Sequence, residues 1–426
     1  MPFAIYALGL MIFSMTTSEF MVAGMISSLS EEFGVSVGAI GFLISAYAAG
    51  MIIGGPLLTV GLLKIPRKQA FLTLAVIFLI GQTLGALAYS YEVMLIARII
   101  TGISSAACFG VSLAICFNLV GPESRGRAAS IVLGGLMVAT AIGLPAAIIF
   151  DQYYGWRSSF WAVVVLVLLS GLLGHLTIPP TPKPASVSIR NELGAFRNRN
   201  LWAAYTTSML IIGATFAAFS YLSPILTDLS GYAAGTVPLL LAVYGVATVM
   251  GNIATGRLAD RYMMLILAIG LVTLTLALVT FGLFAHNPIV AFIAVIIVGL
   301  AGVPMNPAMA TRITRVADTG TLVTTVHGSV ISLGIVIGSS IGGLTIDAGF
   351  GLASPLWVGA LLAILGLISL IPYLRHKGSE RNLSPHSETI NPPPDLGSPT
   401  FHSELDVYKS KSVNELNDMN SSCRSS

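Results

Sequence analysis

Charge is scarce in this sequence. Only 9% of its 426 residues are Asp, Glu, Lys or Arg, against about a quarter in a soluble domain. Water cannot solvate most of such a surface, which excludes an ordinary soluble globular protein. Cysteine is almost missing too: Cys108 and Cys116 fall in an apolar stretch and Cys423 stands alone in a polar one. Neither a disulfide framework nor metal-ligand spacing is present. Histidines are few and mostly lie at segment ends or in the polar C-terminal region. With no nucleophile elbow, phosphate loop or metal cluster, the pattern argues against a membrane enzyme and implies no cofactor or metal. The net charge of +3 comes from small scattered basic clusters, not a patch, so nucleic acid is not an expected partner.

Apolar residues are abundant, at 55% of the chain. A bilayer core about 30 Å thick takes about 20 apolar residues per helix. Stretches of that length run Ala4 to Ile26, Val37 to Val60, Gln69 to Ser90, Val93 to Leu119, Ala128 to Phe150 and Ser158 to Ile178. Six more follow: Leu201 to Leu226, Gly235 to Gly256, Met263 to Ala285, Ile289 to Met309, Thr321 to Ile346 and Leu352 to Leu374. The first lacks the basic start and clear small-residue cleavage site of a signal peptide and is read as a retained helix. The expected fold is therefore an all-α membrane protein of twelve transmembrane helices in two six-helix pseudo-repeats. Its expected parts are a first bundle over 1–178, a cytoplasmic linker over 179–200, a second bundle over 201–374 and a disordered cytoplasmic tail over 375–426.

Lys and Arg near helix ends gather on the cytoplasmic side. With the N-terminus inside, the inner loops hold Lys64, Arg67, Lys68, Arg125, Arg127, Lys183, Arg190, Arg197, Arg199, Arg257, Arg261, Arg312, Arg315, Arg375 and Lys377, while the outer loops hold only Arg157. Both termini are expected in the cytoplasm.

An ionisable residue near the bilayer centre costs at least about 2.5 kcal/mol on insertion scales and needs a reason. Glu19 in helix one, Arg98 in helix four and His327 in helix eleven are the three that fall inside the spans away from their ends. Glu19 and Arg98 come out at similar depth, about 10 Å from the outer end at 1.5 Å per residue. An ion pair or water-bridged contact is available to them if helices one and four adjoin. A carboxylate beside a cation and an aqueous cavity can change protonation as the cavity opens to either side, which is what proton coupling requires. The alternative is a static pair that fixes the bundle. His327, beside Thr324, Thr325 and Ser329, either meets substrate and protons or only hydrogen-bonds between helices.

In helix five, Gly134, Gly135, Gly143 and Pro145 permit close packing and a bend, of use where one bundle rocks against another. Pro304 and Pro307 in helix ten are placed to open the backbone beside Asn306. Phe216, Phe219, Tyr221 and Tyr244 are candidates to line a pocket for a flat amphiphile, with Thr16 and Thr17 beside Glu19 counted in the same cavity.

Several segments resemble the major facilitator superfamily, and within it the twelve-helix drug:proton antiporter branch, over Met1 to about Lys377. Ser18-Glu19-Phe20 is similar to the helix-one element of bacterial chloramphenicol-efflux proteins and of relatives that export sugars or purine nucleosides. Leu95-Ile96-Ala97-Arg98 with Gly102 resembles the helix-four motif whose arginine the family associates with proton coupling. The run ending at Pro145 resembles the antiporter motif, and Gly155-Trp156-Arg157 the element after it. Gly256-Arg257-Leu258-Ala259-Asp260-Arg261 is similar to the family's gating loop. The first-half counterpart, from Gly55 to Lys68, has no acidic residue. A single latch of Asp260 with Arg312 or Arg315 is expected on the cytoplasmic side.

The resemblance implies a monomeric proton-coupled exporter in a bacterial cell membrane, the inner one where there are two. Its partners are the bilayer, protons and a small molecule, with a chloramphenicol-like drug as the first substrate and a sugar or purine nucleoside as the alternative. A transport-dead sensor signalling through its tail is the reading from another class.

Overall fold

Bilayer hydrocarbon offers no water to the peptide groups, so each apolar run closes its own hydrogen bonds as a helix. In a computed structural model, which describes residues 1–62, 65–180, 193–317 and 321–380, they do so. Lys64, Lys183 and Arg190, most of the expected linker and the tail beyond residue 380 lie outside those ranges.

The first half comprises α1 (Phe3–Gly24), a short α2 (Ile26–Phe33), α3 (Val37–Leu62), α4 (Arg67–Ala86), α5 (Tyr91–Leu119), α6 (Arg125–Val138), α7 (Leu144–Tyr154) and α8 (Trp156–Thr177). The second comprises α9 (Arg199–Phe219), α10 (Val237–Leu283), α11 (Pro288–Ala301), α12 (Asn306–Val316), α13 (Thr321–Thr345) and α14 (Ser354–Glu380). Among the described residues eleven stretches are long and apolar enough to cross a membrane, and one of them, Ala234–Leu283, has 50 residues. At about 1.5 Å per residue that is more than twice the thickness of a bilayer core, so it crosses twice. The turn falls at Tyr262, whose φ of −125° and ψ of 24° break an otherwise unbroken helix. The chain therefore makes twelve crossings. The segment Gly256–Arg261, expected as a loop, is helical up to that residue; it holds no proline and only one glycine.

The flanks are apolar, and the mainly apolar interior holds a set of buried polar groups. Leu57, Ile80, Leu172, Leu239, Leu276 and Leu361 are exposed on its flanks, where lipid solvates them, while Ser18, Gln82, Thr101, Thr215 and Ser339 are buried. Helices meet through glycine. A Cβ on Gly102 would strike the carbonyl oxygen of Tyr47, so α3 and α5 touch backbone to side-chain-free backbone. The second half repeats the arrangement, with Gly299 of α11 against the carbonyl oxygen of Tyr244 in α10. Tyr47 and Tyr244 thus occupy equivalent places in the two pseudo-repeats.

Two crossings are interrupted. In the fifth, Ala139–Gly143 widens to a π-turn between α6 and α7, directly before the proline at 145 that has no N–H to give. In the tenth, the helix stops at Gly302 and resumes at Asn306 through a 3₁₀ turn over Val303–Met305. The resumed helix runs on to Val316, so Arg312 and Arg315 lie on α12, not in the loop where the sequence reading put them.

Contacts joining the two halves begin at the face opposite the N-terminus. Gln152 Nε2 donates to Ala234 O at 2.7 Å, Ser223 Oγ donates to Gly24 O at 3.3 Å, and Tyr221 is wedged between Gly41 and Gly343. They continue to mid-depth, where Ser45 Oγ lies 2.6 Å from Ser339 Oγ and 2.8 Å from Ser340 Oγ.

Candidate transport site

Arg98 is 1% exposed and lies deep between α1, α3 and α5. Its Nη1 donates to Ser18 O at 2.7 Å and reaches Ser18 Oγ at 3.3 Å; Nη2 donates to Glu19 O at 3.0 Å, and Nε to Leu43 O at 3.4 Å. The guanidinium carbon stands 4.3 Å over the ring of Tyr47, whose Oη donates to Met15 O at 3.1 Å. A buried cation needs such a shell, and here peptide oxygens and an aromatic face supply it.

The sequence leaves an ion pair between Glu19 and Arg98 open, and the structure does not form one. Among the described residues the carboxylate pair within 4.0 Å is Arg157 with Glu32, at 2.8 Å on the exposed rim. Glu19 meets Arg98 through its main-chain carbonyl, and its side chain remains part-exposed. The guanidinium approaches along the α1 backbone, where the carbonyls of Ser18 and Glu19 match its fork, and its hydrogen bonds are directed there.

A polar chain extends from this point into the bundle. Ser18 Oγ donates to Gln82 Oε1 at 2.7 Å, and Gln82 Nε2 donates to Phe160 O at 3.3 Å. Thr16 and Thr17 are buried beside it; Thr17 Oγ1 donates to Phe13 O at 2.8 Å and fills the space where Gly143 has no side chain. Gly134 has open space around it, while Gly135 makes a close approach to Gly9 O. Pro145 is buried at the start of α7.

Next to Glu19 stands Phe20, which ties the halves together. Its ring lies 6.0 Å from Phe216 and 5.6 Å from Phe219, and Phe219 stacks on Tyr244 at 5.0 Å. All four rings are buried. The expected aromatic set is thus split: Phe216, Phe219 and Tyr244 converge with Phe20, whereas Tyr221 donates to Ser339 O at 2.7 Å in the seal between α3 and α13. Asn306 is half-buried at the break in the tenth crossing, where it opens α12. His327 stacks on Tyr205 at 6.0 Å with Nε2 3.2 Å from Ser208 Oγ, inside the second half and away from the four rings by its contacts.

At the face that bears the N-terminus, the expected latch takes another form. Arg315 Nη2 donates to the main-chain carbonyl of Asp260, and the Asp260 side chain is exposed on the turn before Tyr262. Arg312 turns inward instead: it is 3% exposed, its Nη1 donates to Thr207 Oγ1 at 2.9 Å, and its guanidinium lies 4.9 Å from the Tyr373 ring. Neither arginine pairs with the Asp260 carboxylate. Gly256 is exposed with open space around it, and Arg261 lies 5.1 Å over the Tyr262 ring.

Twelve crossings in two equivalent halves, with a buried polar site against their junction, are the architecture of a transporter. The model of the Major Facilitator Superfamily matches residues 8–330. The chain belongs to that superfamily. It is a multi-pass membrane transporter, not an enzyme. This superfamily member is 29% identical over 378 residues to a chloramphenicol resistance protein of Streptomyces lividans, covering 88% of this chain and 96% of that one. It is 30% identical over 367 residues to the inner membrane transport protein YdhP of Escherichia coli K12, covering 86% and 94%. It also resembles a solved bacterial homolog of the human lysosomal transporter Spinster, with a TM-score of 0.70, 16% identity, and 88% and 96% of the two chains covered. That last likeness concerns the fold.

Two groups of the superfamily member's site, Tyr47 and Gln82, were not singled out in the sequence, and Ser18 entered only as part of the Ser18-Glu19-Phe20 element. Gln82 carries a visible signal, a primary amide in the middle of an apolar run. Arg312 was missed as a buried cation because its segment read as a loop.

Proposed function

We propose that this transporter is a proton-coupled exporter of a small amphiphilic compound of chloramphenicol-like chemistry, with both termini in the cytoplasm. The observation that carries the reading is the state of Glu19. Its side chain is part-exposed and unpaired with Arg98, whose charge is met by the carbonyls of Ser18 and Glu19. Glu19 is thereby left to gain and lose a proton. Phe20 links that event to Phe216, Phe219 and Tyr244 across the junction of the halves, a surface for a flat apolar substrate with one polar neighbour.

In this cycle the substrate enters from the face bearing the N-terminus, between bundles 1–178 and 201–374. Protonation of Glu19 from that opposite side accompanies its release. The basic residues near helix ends favour the cytoplasm for the terminal face. Likeness to a chloramphenicol resistance protein supports the substrate class; a sugar or a purine nucleoside is the alternative within the same mechanism.

The test uses purified protein in liposomes containing a pH dye, challenged in turn with chloramphenicol, arabinose and a purine nucleoside. Proton movement on adding chloramphenicol, lost in Glu19→Gln, is the expected result. A signal with the nucleoside or the sugar alone replaces the substrate, and a signal unchanged in Glu19→Gln removes the coupling role.

A further inference from the structure

Gln82 lies on α4 with 1% of its surface exposed, one hydrogen bond from the serine that precedes Glu19. A primary amide inside a membrane bundle is costly to bury unless both of its ends are satisfied. Here both are, and the partners leave only one orientation. The carbonyl of Phe160 can only accept, so the amide NH₂ must face it, at 3.3 Å. The amide oxygen then faces Ser18, 2.7 Å away, and being an acceptor it takes the one proton of the Ser18 hydroxyl. With its proton committed, Ser18 Oγ offers lone pairs alone, and Arg98 Nη1 stands 3.3 Å from it and 2.7 Å from the carbonyl of the same residue.

We infer that Gln82 is a positioning residue: by consuming the Ser18 hydroxyl proton it makes Ser18 a pure acceptor, which holds the Arg98 guanidinium on the α1 backbone and off the Glu19 carboxylate. The inference rests on the coupling role proposed for Glu19. Directionality runs one way through the chain, from Arg98 to Ser18 to Gln82 to Phe160. Without the amide, the Ser18 hydroxyl must take another acceptor, as helical serines do with the carbonyl one turn back, and its oxygen then turns away from Nη1. The guanidinium then has reason to swing toward the nearest anion. The ionisable groups around this centre are Glu19 itself, Arg98, Tyr47 from α3, Cys108 from α5 and Tyr244 from the second half; Tyr47 and Arg98 are the two already in contact. Only Arg98 is a cation, so its placement sets the field at Glu19.

The measurement is the pH midpoint of proton-coupled substrate flux in liposomes, for native protein, Gln82→Met, Ser18→Ala, the double variant and Glu19→Gln. Gln82→Met is expected to move the midpoint to lower pH by about one unit, the scale on which a redirected charge-assisted bond acts. The double variant is expected to match Ser18→Ala, because Gln82 acts through Ser18. A role confined to packing would lower flux at every pH with the midpoint fixed, and that result, or full additivity of the two changes, overturns the inference. Where Gln82→Met is not recovered as monodisperse protein, Gln82→Asn, one methylene too short to reach Ser18, gives the same reading. Loss of coupling in Glu19→Gln beside an unmoved midpoint in Gln82→Met rejects the Gln82 role alone; unchanged coupling in Glu19→Gln rejects the underlying reading and this one with it.

Discussion

Arg98 touches Glu19 at its carbonyl and not at its carboxylate: Nη2 donates to Glu19 O at 3.0 Å while Nη1 takes Ser18 O at 2.7 Å. Cation and acid therefore share one turn of α1 without neutralising one another, and the two residues can be tested separately.

Glu19→Gln keeps size and hydrogen bonding but cannot ionise. Proton-coupled flux is expected to fall at least about tenfold, equivalent to about 1.4 kcal/mol of lost driving interaction, with folding retained. Proton movement and substrate flux recorded on the same liposomes check it; retained stoichiometric proton movement would contradict the proposal.

Arg98→Lys keeps the charge and loses the fork. A lysine ammonium can serve Ser18 O or Glu19 O but cannot reproduce the planar set that meets Ser18, Glu19 and Leu43 together. Losing one or two charge-assisted bonds, each about 1.5 to 3 kcal/mol, should lower thermal stability in detergent and reduce coupled flux. A melting curve unchanged from native protein would show that the fork does not matter.

Gly102→Ala places a methyl group against the carbonyl oxygen of Tyr47, on the contact that brings α3 to α5. Backbone must move to admit it, so a destabilisation of about 1 to 3 kcal/mol is expected, of the order seen for overpacking. Gly134→Ala, facing open space, is the control and should melt as the native protein does.

Asp260→Asn should leave stability and transport rate within about 0.5 kcal/mol of native, the usual range for an exposed change, because Arg315 uses the main-chain carbonyl, which the substitution preserves. A large drop in rate would mean that the Asp260 carboxylate meets a cation in another state of the cycle.

Phe219→Ala removes the ring that joins Phe20 to Tyr244. Weaker substrate binding is expected, with an increase in the concentration for half-maximal flux larger than the change in maximal flux. Equal affinity in the variant would confine the rings to packing.

The twelve crossings were legible in the sequence because hydrophobic length is fixed by the bilayer and needs no knowledge of neighbours. Glu19 and Arg98 were legible for a related reason: charge is so rarely tolerated in that setting that its position alone marks it. Their relationship was not, since an ion pair and a backbone-held arginine need the same two residues at the same depth. Nor was the inward turn of Arg312, or the helical run through Gly256–Arg261 that displaced the expected latch, because a helix end in the interface carries no composition limit as sharp as the bilayer's. Gln82 shows the division most plainly. The sequence by itself placed an amide inside an apolar helix, which only says that it has partners. The tertiary structure decided which partners: Phe160 O, able only to accept, turns the amide, the amide takes the proton of Ser18, and Arg98 is thereby held to the α1 backbone.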